Sequence, residues 1–282
     1  MKIHTLEERD IDRAMHLSMQ ADWNHAAADW RRLVRLWPGQ VLVGEIDDRI
    51  VASGSLATYP SSHGLLGWIG LILVDPAFRR RGLGVQIVRA VLDLAERLDV
   101  AVLGLDASDQ GQPIYERLGF ECRSGINRWS GRARITNASS PMAEEDWRPL
   151  LDLDRLACGA KRAALLHNLA AGGAAIVHRT RDERLTGYGL LRPGRRAWHV
   201  GPLVADDPAS AATLLDELIE PSDNGVAEDV IVDVLDGHPF ESHLARRGFS
   251  VARRLQRMTR PRSETILMAT PLACAVTGFE LG

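Results

Sequence analysis

The sequence predicts a mixed α/β fold, a mixed sheet flanked by helices, laid down twice along one chain. Three observations carry that expectation: helical and strand periodicities alternate, a set of residues recurs at a near-constant offset, and a polar, proline-ended stretch lies midway. Arg49, Gly54 and Leu56 recur as Arg184, Gly189 and Leu191 at an offset of 135. Trp68, Leu73 and Val74 recur as Trp198, Leu203 and Val204 at 130, and Leu118-Gly119-Phe120 corresponds to Arg247-Gly248-Phe249 at 129. Matches that keep their order and nearly their spacing mark a duplicated unit. The connection is Arg132 to Pro141, centred on Thr136-Asn137-Ala138-Ser139-Ser140, and it divides the chain into residues 1–138 and 139–282.

Each element of the first unit has its own signal. Ile11 to Met19 and Trp30 to Leu36 carry helical periodicity. Val41 to Ile46 and Ile50 to Thr58 read as strands joined by an Asp47-Asp48 turn. Trp68 to Val74 is nearly all apolar, as a strand buried on both faces should be. Leu83, Ile87, Val91, Leu94, Ala95 and Leu98 fall on one stripe, so Gly82 to Leu98 is an amphipathic helix. Val100 to Asp106 is the next strand and Gln112 to Leu118 a short helix, with Gly119 as its C-terminal cap. The order α-α-β-β-β-α-β-α-β is expected in both units.

Composition excludes several classes. Thirty-four basic against 37 acidic residues in 282 leave the chain near neutral, without the positive excess of a dedicated nucleic-acid binder. Cys122, Cys158 and Cys274 are isolated, which gives neither a paired metal or redox motif nor a disulfide framework. A reducing cytoplasm suits such usage. The longest uncharged apolar run, Leu65 to Val74, is about half of the roughly 20 residues that a membrane span needs. Glu7, Glu8 and Asp10 stand where a signal peptide would need its apolar stretch, so a cytoplasmic protein with neither a membrane nor a nucleic-acid partner is expected.

The stretch that carries chemistry follows the third strand. Val74-Asp75-Pro76 leads through Arg79, Arg80 and Arg81 to Gly82-Leu83-Gly84-Val85, which opens a helix. Glycine lets backbone approach a ligand closely, and the unpaired N–H groups of a first helical turn, aided by the helix dipole, attract an anion such as a pyrophosphate. Two nucleotide motifs are excluded. No Lys-Ser or Lys-Thr follows Gly82 or Gly84, as a P-loop requires, and Ile87 stands where a dinucleotide fingerprint needs its third small residue.

Arg79-x-x-Gly82-x-Gly84 after Val74-x-Pro76, with Tyr115-Glu116-Arg117-Leu118-Gly119-Phe120 about 30 residues on, resembles the coenzyme A signature of the GNAT superfamily of acetyl-CoA-dependent N-acetyltransferases. Leu105-Asp106-Ala107-Ser108, with Gly111 and Pro113 before Tyr115, resembles a bacterial subgroup of two-domain members, although Asp109 stands where many relatives have asparagine. The resemblance covers most of residues 1–135. It implies that the amide of Ile72 faces the acetyl carbonyl, that Leu73 and Val74 run beside the pantetheine, and that Arg79, Arg80, Arg81, Gly82, Leu83, Gly84 and Val85 surround the pyrophosphate. It also implies that Tyr115 protonates the departing thiolate, consistent with ordinary pKa values of about 10 for a phenol and 8.5 for a thiol. The general base stays open between Asp106, His63 and an ordered water, the plain alternative for Asp106 being a loop-ordering acceptor. Trp23, Asn24 and His25 fall where relatives form the acceptor pocket. No metal is implied.

The second unit lacks these features. At the 130 offset, Arg79, Gly82 and Gly84 meet Ala209, Ala212 and Leu214, the loop Val204 to Pro208 is acidic, and Tyr115 aligns with Leu244 at 129. Residues 139–282 therefore read as a degenerate GNAT-like domain that walls the acceptor pocket, dimerises the chain or senses a metabolite. Its terminal Phe279-Glu280-Leu281-Gly282 is expected as a final strand or, second, as a visitor to the cleft, and Arg253, Arg254, Arg257 and Arg260 as a solvated edge. The activity implied is acetyl transfer from acetyl-CoA to a primary amine, on a small molecule or a protein, by direct attack. An acyl-CoA sensor without turnover and an acetyltransferase of low-molecular-weight thiol biosynthesis are the alternatives.

Overall fold

The computed structural model describes residues 1–135, 142–220, 227–260 and 270–282. The expected division at residue 138 lies among residues 136–141, outside the described residues. The first half runs β1 (Lys2–Thr5), α1 (Ile11–Gln20), α2 (Ala27–Leu36), β2 (Val41–Ile46), β3 (Arg49–Ser61), β4 (Gly64–Val74), α3 (Leu83–Arg97), β5 (Val100–Ala107), α4 (Gln112–Arg117) and β6 (Glu121–Ile135). The second runs α5 (Trp147–Cys158), α6 (Ala163–Ala171), β7 (Ala174–Arg179), β8 (Leu185–Arg192), β9 (Trp198–Ala205), α7 (Pro208–Leu218), β10 (Ile219–Glu220), β11 (Glu228–Leu235), α8 (Phe240–Arg246), β12 (Ser250–Arg260) and β13 (Ala273–Ala275).

The first-half elements expected from periodicity are present, and β1 is an addition that pairs with β2 from Lys2↔Glu45 to Thr5↔Leu42. β4 starts at Gly64 rather than Trp68 because a tight hairpin brings Gly64–Gly67 against Thr58–Ser61. Helices α1, α2, α5 and α6 share one core, in which Trp30, Tyr59 and Trp68 of the first half meet Leu166 and Tyr188 of the second. Helices α3 and α4 cover the other face of the first half, and α7 and α8 that of the second. Among the described residues no helix is long and apolar enough to cross a membrane.

The described strands form one sheet in the order β1-β2-β3-β4-β5-β12-β6-β11-β9-β8-β7, with β10 beside β6 and β13 beside β9. Its centre holds an exchange. The last strand of the first half, β6, pairs with β11 of the second, while β12 of the second half enters between β5 and β6. Ile126 pairs with Leu255, its own equivalent at the 129 offset, so a pseudo-two-fold axis passes through that pair.

Two buried ion pairs lock the exchange, one on each side of the axis. Arg257 of β12 donates from Nε and Nη2 to the two oxygens of Asp106 on β5, at 2.9 Å each. Arg128 of β6 does the same to Asp233 on β11, at 2.7 Å each. Paired forks of this kind are among the stronger and more directional polar contacts. β12 is thus not an edge: the strand is central, and among Arg253, Arg254, Arg257 and Arg260 only Arg254 is exposed as expected, whereas Arg257 is fully buried with its guanidinium 4.5 Å from the Trp68 ring centroid.

Breaking one of these pairs strands a buried charge. Arg257→Met is expected to lower the unfolding free energy in urea by about 3–5 kcal/mol. Adding Asp106→Leu to the same chain should recover most of that loss, because the orphaned carboxylate goes with it. A double variant as unstable as the single would show that packing, not charge, dominates the joint.

Candidate active site

The cleft begins where β4 leaves its neighbours. β4 and β5 pair in parallel only from Leu65↔Val100 to Trp68↔Gly104. On the other side the ladder with β3 jumps from Ser55↔Gly70 to Ser53↔Leu73 and pairs neither Leu71 nor Ile72. Leu71 takes a φ of 48°, a left-handed conformation that a bulky residue seldom adopts. The Ser53 hydroxyl donates to its carbonyl at 2.8 Å and fixes the irregularity. Bulges of this sort bend a strand beside functional sites, and this one leaves the Ile72 amide outside both ladders.

The turn beyond β4 is built for an anion. Asp75 accepts from the Ala77 amide at 2.9 Å and from Arg49 at 2.5 Å, which closes the loop after the strand. Gly82, at φ 75°, is the N-cap of α3, and no side chain caps that helix. The first backbone bond across the cap runs from Gln86 N to Gly82 O at 3.1 Å, so the amides of Leu83, Gly84 and Val85 have no protein acceptor among the described residues. Arg79, Arg80 and Arg81 are exposed around them. A groove of about 720 Å³ leads from this turn past Val74 and Leu73 to Ile72, with Gly111 and Ile114 on the opposite wall. Free amides and positive charge at one end, and an unpaired strand amide at the other, fit a long ligand with a pyrophosphate and an acyl terminus, as coenzyme A thioesters have.

At the inner end lies a cavity of about 130 Å³ lined by Ile72, Tyr115, Trp23 and Asp106, together with Arg253, Phe279 and Glu280 from the second half. Tyr115 packs edge-on against Phe120 at 5.9 Å, and burial pushes its phenol well above the ordinary value. Gly111 makes room for the ring: a Cβ there would sit 3.1 Å from Tyr115 Cε2.

Three expectations need correction. Asp106 lines the cavity, but both its oxygens are held by Arg257, so neither a base nor a loop-ordering acceptor describes it. His63 is exposed in the β3–β4 hairpin, nine residues before Ile72, or roughly 30 Å of extended strand. Asn24 is wholly engaged with the second half, its Nδ2 donating to Ala197 O at 2.9 Å and its Oδ1 accepting from the amides of Arg196 and Ala197, both at 2.9 Å. Of the three residues expected at the acceptor pocket, Trp23 lines the cavity and His25 stands behind it.

The C-terminal residues form no strand. They cross β4 instead, with Trp68 Nε1 donating to Phe279 O at 2.9 Å and the Tyr59 hydroxyl to Leu281 O at 2.8 Å. Gly70 permits the crossing, since a Cβ there would lie 2.6 Å from Glu280 Cα. Glu280 is thereby buried 3.1 Å from His25 Nε2 and 3.9 Å from Arg192. Burial alone would raise its pKa, but His25 and Arg192 outweigh that and hold its carboxyl well below the usual range. No local pattern in the sequence marks Glu280 or Arg253; only the long-range path of the chain brings them here.

In the second half the equivalent places are filled. Asp207 caps α7, accepting from the amides of Ala209 and Ser210 at 2.8 and 3.0 Å, so a side-chain carboxylate holds the position of the anion. β9 and β11 part after Val200↔Val232, and β13 lies in the gap, pairing Ala273 with Val204 and Ala275 with Leu203. Val276 N continues to Asp233 O at 2.9 Å. Leu244, at the position of Tyr115, is a fully buried core residue.

Comparison with known proteins accords with the fold. Residues 5–120 match the model of the Acetyltransferase (GNAT) family, and residues 150–267 that of the Acetyltransferase (GNAT) domain. The chain is 29% identical over 162 residues to the uncharacterized N-acetyltransferase YitH of Bacillus subtilis, a match spanning 55% of this chain and 57%, little over half, of that relative. It is 29% identical over 133 residues to a glucosamine 6-phosphate N-acetyltransferase of Trypanosoma brucei brucei, spanning 43% of this chain and 88% of the relative. A solved chain from Pyrococcus horikoshii shares the fold over 100% of this chain and 95% of its own, with a TM-score of 0.79 at 20% identity. A GCN5-related N-acetyltransferase from Sphaerobacter thermophilus does so over 95% and 98%, with a TM-score of 0.63 at 14% identity.

One open groove and one filled groove give a stoichiometry. Calorimetric titration with acetyl-CoA is expected to return one site per chain. Gly84→Leu should abolish it without unfolding the protein, because the nearest atom to an added Cβ is Val74 Cγ2 at 3.7 Å while the side chain projects into the groove. Two sites would mean that the C-terminal segment yields its place.

Proposed function

The chain is a tandem member of the GNAT superfamily, and from that premise we propose that its first half transfers acetyl from acetyl-CoA to a primary amine by direct attack, while its second half binds no cofactor. The observation that carries the reading is the uncapped first turn of α3 opening into the same groove as the Ile72 amide and Tyr115. Acetyl-CoA supplies an acetyl group already activated as a thioester. The amides of Leu83, Gly84 and Val85, with Arg79 to Arg81 near them, hold its pyrophosphate, and Leu73 and Val74 hold the pantetheine.

The chain's own groups then do three things. The Ile72 N–H, free of both ladders, donates to the carbonyl oxygen as negative charge develops there, an interaction typically worth about 2.7–4 kcal/mol. Tyr115 keeps its proton throughout the neutral range because its phenol is buried, and presents it to the sulfur. Glu280, held ionised by His25 and Arg192, orients the incoming amine. The amine enters neutral, and its nitrogen gains a C–N bond as the C–S bond breaks; its surplus proton passes to water, the sulfur leaves as a thiol with the proton of Tyr115, and water returns a proton to the phenol. The name of the trypanosomal relative specifies an amine acceptor, which supports the substrate class.

Release of free thiol from acetyl-CoA across a panel of amines tests the reading. Tyr115→Phe is expected to lower kcat on the order of 10²-fold with acetyl-CoA affinity retained. Glu280→Gln should raise the KM for the amine and leave that affinity alone. Unchanged turnover in Tyr115→Phe would remove Tyr115 from the chemistry. Cofactor binding with no thiol released to any amine would make the protein a sensor.

A further inference from the structure

Besides Tyr115, which keeps its proton, three ionisable side chains line the inner cavity: Asp106, Glu280 and Arg253. The fold answers the first two. Asp106 has Arg257, and Glu280 has His25. Arg253 has no carboxylate within the 4.0 Å of an ion pair among the described residues. Its guanidinium lies instead 5.7 Å from the centroid of the Trp23 ring. It is half-buried, and burial together with the charge of Arg128 works against its ionised form and outweighs the opposite pull of the more distant Asp233 and Asp109.

A guanidinium held in such a place without a counter-ion is unfavourable unless a ligand supplies one. Its planar fork matches the two oxygens of a carboxylate or phosphate. Arg254 follows it in the chain, and Ser108, Asp109 and Gln110 share a surface pocket with both arginines, so two guanidinium groups face a single carboxylate there, and Asp109 stands beyond ion-pair distance of Arg253. Glu280 presents the opposite charge to the same cavity, and about 130 Å³ keeps the two charges close.

Taking amine acetylation as the premise, we propose that the acceptor is a small zwitterionic amine whose carboxylate or phosphate is gripped by Arg253, with Trp23 as the wall beside it, while the amine nitrogen lies at Glu280. The anion takes no part in the bond changes; it sets which amine is presented. A neutral amine or an unmodified lysine side chain leaves Arg253 without a partner and is a poor substrate. Because Arg253 sits on β12, the second half selects the acceptor for the first.

The test uses the full chain and pairs of amines that differ chiefly in the anion: glucosamine with glucosamine 6-phosphate, and tyramine with tyrosine. Thiol release should give the anionic member of at least one pair a kcat/KM more than tenfold above its neutral partner, and the pair that responds distinguishes phosphate from carboxylate. Arg253→Gln should bring the two members to within about twofold by raising KM for the anionic one, Arg253→Lys should restore part of the preference, and the acetyl-CoA Kd should stay at its wild-type value in both. Equal use of both members of each pair overturns the inference and leaves acetyl transfer standing. Arg253 also borders the cofactor groove, so a weakened acetyl-CoA Kd in Arg253→Gln overturns the inference too, by assigning the guanidinium to the cofactor. If no amine is turned over, the transfer reading fails, and titration of glucosamine 6-phosphate and tyrosine into the acetyl-CoA-loaded protein decides the rest. Arg253-dependent binding supports the anion site, and no binding of either overturns it.

Discussion

The paired forks Arg257–Asp106 and Arg128–Asp233 are the joints on which the rest of the molecule hangs. Two charges taken out of water give little net stability, but they are specific about geometry. A one-residue slip of β12 against β5 would turn Arg257 to the other face and leave Asp106 buried and alone. With Arg257 fixed, Arg253, an even number of residues earlier, is delivered to the cleft, and the edge that β5 would otherwise expose is covered. The symmetric pair does the same for β6 against β11. His199, between Arg192 at 2.9 Å and Asp233 at 3.3 Å, extends the second joint, and burial together with Arg192 pushes its pKa down to about 4, so it stays neutral there.

Two halves with one topology have reached opposite solutions at equivalent places. In the first, a strained residue at Leu71 and a glycine N-cap at Gly82 leave backbone donors free, which a folded chain tolerates only at a wet or ligand-binding surface. In the second, Asp207 satisfies the first-turn donors of α7 from within the chain, and Pro202, at the place of Ile72 by the 130 offset, has no N–H to leave free. The asymmetry lies in hydrogen-bond satisfaction rather than in fold. An acidic loop where the first half has three arginines is its outward sign.

That contrast also explains what could be read from the sequence. Elements with local causes were legible: the apolar run of β4, the stripe of α3, the glycine turn before it and Tyr115 on a short helix each carry their signal in consecutive residues. The duplication was legible because Trp68 and Trp198 and their neighbours keep a spacing. The strand exchange was not, since β6 and β12 have the same periodicity whichever sheet they join. For that reason Arg257 read as solvated and Asp106 as a base or a loop-ordering acceptor, although each is the other's partner. Asn24 read as an acceptor contact for a similar reason: its amide meets Ala197, a residue far along the chain.

The C-terminal segment ties these threads together. A duplicated unit that had simply lost its ligand would leave an open gap beside β9, with the donors and acceptors of Leu203 and Val204 turned to water. Here that gap holds Ala273 and Ala275, and the chain goes on from Val276, anchored on Asp233, to Glu280 in the cleft of the first half. Arg162 completes the path, donating to Thr277 Oγ1 at 2.7 Å. Filling one groove is therefore what aims the carboxylate at the other. A second half that kept its own cofactor could not hold β13 in place, and the first would then lack both Glu280 and the backbone that covers Trp68. Under the proposed function, loss of a cofactor site in one half and completion of an acceptor site in its neighbour are one structural event.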